Sequence, residues 1–134
     1  MVEYETAETK QAEIEVCKAL SERLGVSMVH SGEFEIYDYS FKYLDDECIL
    51  EVKSRSFASD KYRDTMIDKA KIDGCLALNK DVFLLAIKFT DGICTLKVDK
   101  NHKFRYGFAG RQDRNMKKDR KFCYFIPMKL FKRL

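Results

Sequence analysis

The amino-acid sequence predicts an α/β (α+β) fold in which helices flank a β-sheet, with the element order α-β-β-β-α-β-β. Apolar residues recur at helical spacing in two segments and alternate with polar residues in several shorter segments. The chain has 134 residues, 46% of them hydrophobic, with one proline and six glycines. A chain of this length can bury enough surface for one stable core. We therefore expect residues 1–134 to form a single domain.

The first predicted element is a helix near residues 8–24. Its apolar side chains return every three or four positions, as one face of a helix requires. These residues are Ile14, Val16, Cys17, Ala19, Leu20 and Leu24. Gly25 follows, at the position where a glycine commonly ends a helix. Residues 27–30 are then predicted to form a short strand, closed by Ser31 and Gly32.

Two strands joined by a tight turn are predicted next, over residues 34–43 and 48–54. The first alternates aromatic with polar side chains, and the second alternates apolar with charged ones. Asp45-Asp46 as the turn would gather the apolar side chains on one face of the hairpin. The predicted pairs are Tyr43 with Cys48, Phe41 with Leu50, and Tyr39 with Val52.

This register also brings polar groups together on the other face. Ser40 lies opposite Glu51, and Asp38 lies opposite Lys53 and diagonal to Glu51. A slip of one residue would place Glu51 and Lys53 among the aromatic side chains, so the hydrophobic pattern favours this pairing.

The rest of the chain is predicted as one helix, two strands and a basic segment. The helix covers residues 61–79, and strands cover 82–90 and 93–98 with a hairpin turn at 90–92. Residues 101–121 are predicted as a loop, and residues 122–134 as a short strand or helix. The inner side of the helix is predicted to carry Met66, Ile67, Ala70, Cys75 and Leu76.

The charge of the chain is divided unevenly. Residues 1–99 carry 13 basic and 20 acidic side chains, whereas the basic C-terminal segment, residues 100–134, carries 12 and 2. Such a segment indicates an anionic partner, nucleic acid ahead of a membrane surface. Arginines Arg111 and Arg114 in a glycine-containing loop, close to aromatic residues, favour nucleic acid. A solubilising lysine-rich tail is the alternative.

Cysteine usage and hydropathy indicate the compartment. The five cysteines form no C-x-x-C pair, and the two histidines are isolated from them, so no zinc pattern is present. The longest strongly apolar run, residues 82–87, is too short to span a bilayer, and the acidic N-terminus does not read as a signal peptide. We expect a cytoplasmic protein with reduced thiols and no membrane partner.

The triplet Glu51-Val52-Lys53 is the strongest candidate for a functional site. Two further acid-x-lysine triplets, at residues 8–10 and 119–121, have polar surroundings and no apolar central residue. The middle triplet lies on a predicted strand and follows Asp38 by 13 residues across the hairpin. The alternative is a solvated hairpin face with an Asp38–Lys53 ion pair.

These motifs together resemble the PD-(D/E)XK nuclease superfamily, which has the restriction-endonuclease-like fold with a central mixed β-sheet. The resemblance covers roughly residues 8–98: a glutamate-bearing helix, Tyr37-Asp38, the stretch Glu51-Val52-Lys53-Ser54-Arg55, and a lysine-bearing helix. Residues 34–78 are similar to small nucleases encoded by phages and mobile elements. Tyr37 departs from the name-giving proline, which affects the backbone before the aspartate rather than a ligand.

The resemblance implies a Mg²⁺-dependent nuclease, with Mn²⁺ as an alternative ion, that hydrolyses phosphodiester bonds in DNA rather than RNA. It implies that Asp38, Glu51 and the Val52 carbonyl bind the metal and that Lys53 positions the attacking water. The preferred outer metal ligand is Glu13, with Glu15 as the alternative. The preferred accessory basic residue is Lys71, with Lys69 as the alternative.

The remaining expectations concern the partner. Arg55, Tyr62, Arg111 and Arg114 are candidates for nucleic-acid contacts, although each has an ordinary surface role as an equal alternative. A homodimer is expected if both strands of a duplex are cut. The rival function is a nucleic-acid-binding module with the same fold that does not cleave.

Overall fold

The computed structural model describes residues 7–32, 35–109 and 121–134. Helix α1 spans Ala7–Leu24, helix α2 spans Lys69–Ala77, and a short 3-10 helix spans Met128–Leu130. The strands are β1 Val29–His30, β2 Tyr39–Tyr43, β3 Asp46–Ser54, β4 Asp64–Asp68, β5 Val82–Phe89, β6 Gly92–Lys97, β7 Arg105–Ala109, β8 Lys121–Pro127 and β9 Lys132–Arg133.

The strands of the described residues form two sheets. The central sheet has the order β1-β2-β3-β5-β6-β9, and a smaller sheet has the order β4-β8-β7. Strands β3 and β5 are parallel, whereas the other paired strands are antiparallel, so the central sheet is mixed. A mixed sheet with helices α1 and α2 confirms the predicted fold class and is consistent with the restriction-endonuclease-like fold.

The core lies on both faces of the central sheet. On one face, Leu50 and Leu84 pack with Val16 and Leu20 of α1. On the other face, buried side chains of β3 and β5 pack with those of α2 and the smaller sheet; they are Ile49, Leu85, Ile87, Ile67, Ile72, Cys75, Tyr124 and Ile126. Strand β3 is therefore covered on both sides, and a charged side chain in its middle must be buried.

The bounds of the first helix agree with the prediction, whereas Ile14, predicted to lie on its apolar face, is 57% exposed. The helix ends at Leu24, and Gly25 has a φ of +67°, the left-handed conformation that favours glycine after a helix. No described helix is both long enough and apolar enough to cross a membrane.

The predicted register of the β2–β3 hairpin is wrong by two residues. Tyr39 pairs with Leu50 and Phe41 with Cys48, and the chain turns at residues 44–45 instead of Asp45-Asp46. Leu44 takes the positive φ of the turn, 58°, although leucine is not a preferred residue there. A shift of two keeps every side chain on its predicted face, because side chains alternate with a period of two.

Strand β2 is shorter than predicted. Of the predicted strand at residues 34–43, residue 34 is outside the described part of the chain and residues 35–38 are bent. The bent segment is held by Ser31, whose hydroxyl donates to the Tyr37 carbonyl and whose N–H donates to the Asp38 carbonyl at 2.9 Å.

The helix predicted over residues 61–79 is wrong in its first half. Residues Asp64–Asp68 form β4, which pairs with β8, and α2 begins only at Lys69. Asp68 ends the strand and starts the helix, because its side chain accepts a hydrogen bond from Ala70 N at 3.1 Å. Met66, predicted to face inward, is 51% exposed, whereas its neighbour Ile67 is buried.

The basic C-terminal segment contains more regular structure than predicted. Arg105–Ala109 form a strand within the predicted loop, and Lys121–Pro127 form β8. Residues 110–120 lie outside the described residues, and Arg111 and Arg114 are among them.

Candidate functional site

The candidate site is centred on Glu51 in the middle of β3. Its side chain is 2% exposed, because β3 lies between β2 and β5 and both sheet faces are covered. Glu51 Oε2 lies 3.5 Å from both Lys53 Nζ and Lys71 Nζ. Glu51 Oε1 is also buried and has no hydrogen-bond partner among the described residues. A buried carboxylate oxygen without a partner is costly unless a cation or proton satisfies it.

Asp38 borders Glu51 because it directly precedes β2, whose first residue, Tyr39, pairs with Leu50. Asp38 N donates to Leu50 O at 3.0 Å, and the Asp38 Oδ2 atom accepts from Val52 N at 2.8 Å. The aspartate side chain thus satisfies the Val52 amide of β3, which lies beyond the pairing of Tyr39 with Leu50. This bond fixes the carboxylate beside Glu51, not opposite Lys53 as the predicted register had it.

The charges around Glu51 and its burial both act on the pKa of its carboxyl group. Burial and then the charge of Asp38 raise the pKa of Glu51, whereas the charges of Lys53 and Lys71 lower it, and the resulting pKa is about 8. Burial and then the Glu51 charge also raise the pKa of the Cys75 thiol to about 12, which keeps this cysteine protonated. The two lysines therefore do not keep the Glu51 carboxyl group ionised at neutral pH.

A pocket of about 240 Å³ opens over these groups. Helix α1, strand β3 and helix α2 all contribute to its wall. The lining residues are Thr9, Ala12, Glu13, Asp38, Glu51, Val52, Lys53, Ser54, Arg55 and Lys71. Residues remote in sequence, between Thr9 and Lys71, therefore share one concave surface.

The structure places the two candidates for the outer metal ligand in different surroundings, and it does the same for the two candidates for the accessory basic residue. Glu13 lines the pocket, whereas Glu15 forms an ion pair with Lys88 at 3.2 Å. Lys71 lines the pocket, whereas Lys69 Nζ donates to Asp73 Oδ2 at 2.7 Å, away from Glu51. The geometry therefore favours Glu13 and Lys71 as members of the site.

The nucleic-acid candidates are dispersed. Arg55 lines the pocket, but its Nη2 also donates to Met66 O at 2.8 Å, so it ties β3 to β4. Tyr62 is 53% exposed and packs edge-on against Phe57, outside the pocket lining. Arg111 and Arg114 are not among the described residues.

Thr9 and Ser54 line the pocket and were missed by the sequence reasoning. Thr9 is one helical turn before Glu13, so its position could have been derived from the choice of Glu13. Ser54 follows Lys53 at the end of β3, and only its position in the pocket identifies it.

The donor set fits a hard divalent cation with few protein ligands. Within the described residues, no group of three or more Asp, Glu, His or Cys side chains converges closely enough to enclose a metal ion. Mg²⁺, however, is commonly bound by one or two carboxylates and several waters. Asp38 and Glu51 supply two carboxylates, and the Glu51 oxygen without a partner is the kind of group that a cation would satisfy.

Comparison with protein-family models shows what the chain is similar to. A family model described as "Phage putative PDDEXK endonuclease" matches residues 2–134. No individual curated protein matches the chain.

Proposed function

The chain belongs to this phage PDDEXK endonuclease family, and from that premise we propose that it is a metal-dependent endonuclease that hydrolyses phosphodiester bonds in DNA. The observation that carries the proposal is the buried Glu51 carboxylate, placed beside Asp38 and 3.5 Å from two lysines in an open pocket. A pair of carboxylates with an oxygen lacking a partner is suited to binding a cation, and lysines beside it are suited to binding phosphate.

The proposed metal ligands are Asp38, Glu51 and the Val52 carbonyl, with Glu13 as an outer ligand. Mg²⁺, or Mn²⁺ in its place, would supply an activated water and offset the charge that develops on the phosphate. Binding of the cation would also favour the ionised form of Glu51, whose pKa is about 8 without it.

The two lysines have separate proposed roles. Lys53 is adjacent to the carboxylates on the same strand and would orient the attacking water and hold a phosphate oxygen. Lys71 approaches Glu51 from α2 and would act as the accessory basic residue. Because both ammonium groups contact the same Glu51 oxygen, their position is fixed before substrate binds.

Contacts outside the pocket are proposed for four residues. Arg55, Tyr62, Arg111 and Arg114 would bind the nucleic-acid backbone, as arginine and tyrosine commonly do. We also propose a homodimer for cutting both strands of a duplex, in the cytoplasm of the host cell.

The test is cleavage of supercoiled, linear, single-stranded and branched DNA by purified protein, with Mg²⁺, with Mn²⁺ and with EDTA. We expect cleavage only with a divalent ion. Glu51→Gln and Lys53→Ala should each reduce the rate by at least about a hundredfold, because each removes charge stabilisation at the reacting phosphate. RNA of matched sequence measures the preference for DNA.

Glu47→Gln is the matched control, because Glu47 lies on the same strand but is exposed and pairs with Lys80 at 3.5 Å. Its rate should equal that of the wild type. Cleavage that persists in Glu51→Gln would reject the site. DNA binding without cleavage under every metal condition would instead identify a non-cleaving nucleic-acid-binding module.

A further inference from the structure

Gly74 lies in the interior of α2, where glycine is less favourable than any other residue except proline. A methyl group on its Cα would overlap Ile36 Cδ1 and would lie 3.6 Å from Ile36 Cγ1. Outside α2, Ile36 is the only described residue within 4 Å of that methyl group. The helix therefore has a glycine where the Ile36 side chain lies directly against its backbone.

Ile36 belongs to the bent segment, residues 35–38, that leads to Asp38. Ile36 and Tyr37 are partly buried and pack against the core on the α2 face of the central sheet. At the end of the segment, Asp38 Oδ2 accepts from Val52 N at 2.8 Å. Only one residue separates Ile36 from Asp38, so a displacement of Ile36 along the segment is expected to move Asp38 as well.

The side of α2 that contacts Ile36 also faces Glu51. Lys71 lies three residues before Gly74, so the two positions are neighbours on the helix surface. Lys71 Nζ lies 3.5 Å from Glu51 Oε2. The contact between Ile36 and Gly74 therefore joins the two elements that bring Asp38 and Lys71 to Glu51.

We propose that Gly74 is a positioning residue of the candidate site, because the absence of a side chain there lets Ile36 pack against α2 and so fixes the Asp38 carboxylate beside Glu51. A side chain at position 74 would push Ile36 away from α2 and displace Asp38. A displacement of about 1 Å can reduce the rate of an enzyme about a hundredfold. The inference rests on the proposed function for the role of Asp38 as a metal ligand.

Amide hydrogen exchange, measured by NMR in EDTA, tests the position of Asp38 without metal. In Gly74→Ala the Val52 N–H should exchange at least about tenfold faster than in the wild type, because displacement of Asp38 weakens the hydrogen bond that protects it. The Leu85 amide, in the middle of β5, should exchange equally in both proteins. Faster exchange of both amides would indicate a general loss of stability and overturn the positioning role.

Calorimetric titration with Mn²⁺ and a cleavage assay test the consequence for the site. Gly74→Ala should weaken Mn²⁺ binding and lower the cleavage rate, each by about tenfold to a hundredfold, as is typical when a group that orients a metal ligand is lost. Ala77→Ser is the matched control, because it also adds one heavy atom to α2 but at an exposed position. Its values should equal those of the wild type.

Removal of the overlapping atom from Ile36 should restore the site. Ile36→Val deletes Cδ1, so in the double variant with Gly74→Ala the new methyl group would lie 3.6 Å from Cγ1, an ordinary van der Waals distance. Val52 exchange, Mn²⁺ binding and cleavage should return to within about threefold of the wild type. Ile36→Val alone leaves a gap of one methyl group and should also stay within about threefold. A loss that persists in the double variant would not arise from Ile36 and would overturn the proposal.

A second variant applies if Gly74→Ala does not fold. Ile36→Ala removes the contact from the other partner, and it should speed Val52 exchange and weaken Mn²⁺ binding by at least about threefold. Wild-type values for this variant would overturn the proposal.

The two proposals can fail separately. If Gly74→Ala speeds Val52 exchange and Ile36→Val reverses this effect, but the wild type cleaves no DNA, the nuclease function fails and the positioning of Asp38 remains. If the wild type cleaves DNA and Gly74→Ala matches it in exchange, Mn²⁺ binding and rate, the nuclease function remains and the positioning role fails.

Discussion

At the residue scale, the position of Glu51 suits a functional site but costs stability. An ionised carboxylate in the middle of a covered strand loses its hydration. The two nearby lysines do not fully compensate for this loss, because the pKa of Glu51 still rises to about 8. A well-packed apolar residue would stabilise this strand more. A bound cation would offset the cost of burying the carboxylate. The burial of Glu51 is therefore consistent with a cation-binding site rather than a structural ion pair.

The first prediction concerns the stability of the metal-free protein. The pKa of Glu51 is about 8 in the fold, above its ordinary value of 4.5. Between these values the folded state binds more protons than the unfolded state, so this group makes the free energy of unfolding fall as pH rises. The free energy of unfolding of Glu51→Gln, relative to that of the wild type, should therefore increase by a few kcal/mol as the pH rises from about 5 to about 9.

Urea unfolding in EDTA, monitored by circular dichroism, measures this difference in the free energy of unfolding. Glu47→Gln provides the baseline, because its side chain is on the same strand and is 58% exposed. A Glu51→Gln effect that is constant across the pH range would contradict a buried, protonated carboxyl group.

The sequence predicted which polar side chains share one face of the β2–β3 hairpin, but it did not predict which of them lies opposite Asp38. The alternation of residues 39–43 and 48–52 indicated correctly that Asp38, Glu51 and Lys53 share a face. The register depends on the turn, where Leu44 adopts a φ of 58°, and on the bond from Val52 N to the Asp38 carboxylate. Neither feature follows from residue preferences, because both are set by tertiary context.

At the element scale, the sequence prediction was wrong where the structure of a segment depends on pairing with a strand distant in sequence. Helix α1, β5 and β6 have strong local patterns and were predicted nearly to their ends. Residues 64–68 contain the adjacent apolar pair Met66-Ile67, which a helical interpretation can accommodate. Their pairing with β8, more than 50 residues later, makes them a strand instead.

The β4 strand makes a prediction that separates it from a helix. Ile67 is buried at 1% exposure and Met66 is 51% exposed, as alternation across a strand requires. Ile67→Ala should reduce the free energy of unfolding by about 2–4 kcal/mol, and Met66→Ala by less than about 0.5 kcal/mol. Chemical unfolding of both variants measures the contrast. Similar losses for the two would indicate that both side chains face the core.

At the scale of the whole molecule, the charge division separates two tasks. Residues 1–99 provide the pocket and most of the central sheet, and the basic C-terminal segment provides β7, β8 and twelve cationic side chains. Residues 1–99 carry more acidic than basic side chains, so binding of the proposed polyanionic substrate needs cations elsewhere to offset repulsion. The positive charge is therefore expected to contribute affinity without sequence preference, while the pocket contributes chemistry.

The salt dependence of DNA binding tests this division. Each phosphate contact by a lysine or arginine adds about −0.9 to the slope of log K against log salt concentration for duplex DNA. Arg111→Ala combined with Arg114→Ala, in a Glu51→Gln background that prevents cleavage, should make the slope less steep by about two and weaken binding equally across unrelated sequences. Titrations between about 50 and about 200 mM KCl give the slope. The control pair is Lys18→Ala with Lys42→Ala, two exposed lysines among residues 1–99, and its slope should match that of the parent. If the control pair changes the slope as much as the arginine pair does, the attraction comes from overall charge and not from the basic C-terminal segment.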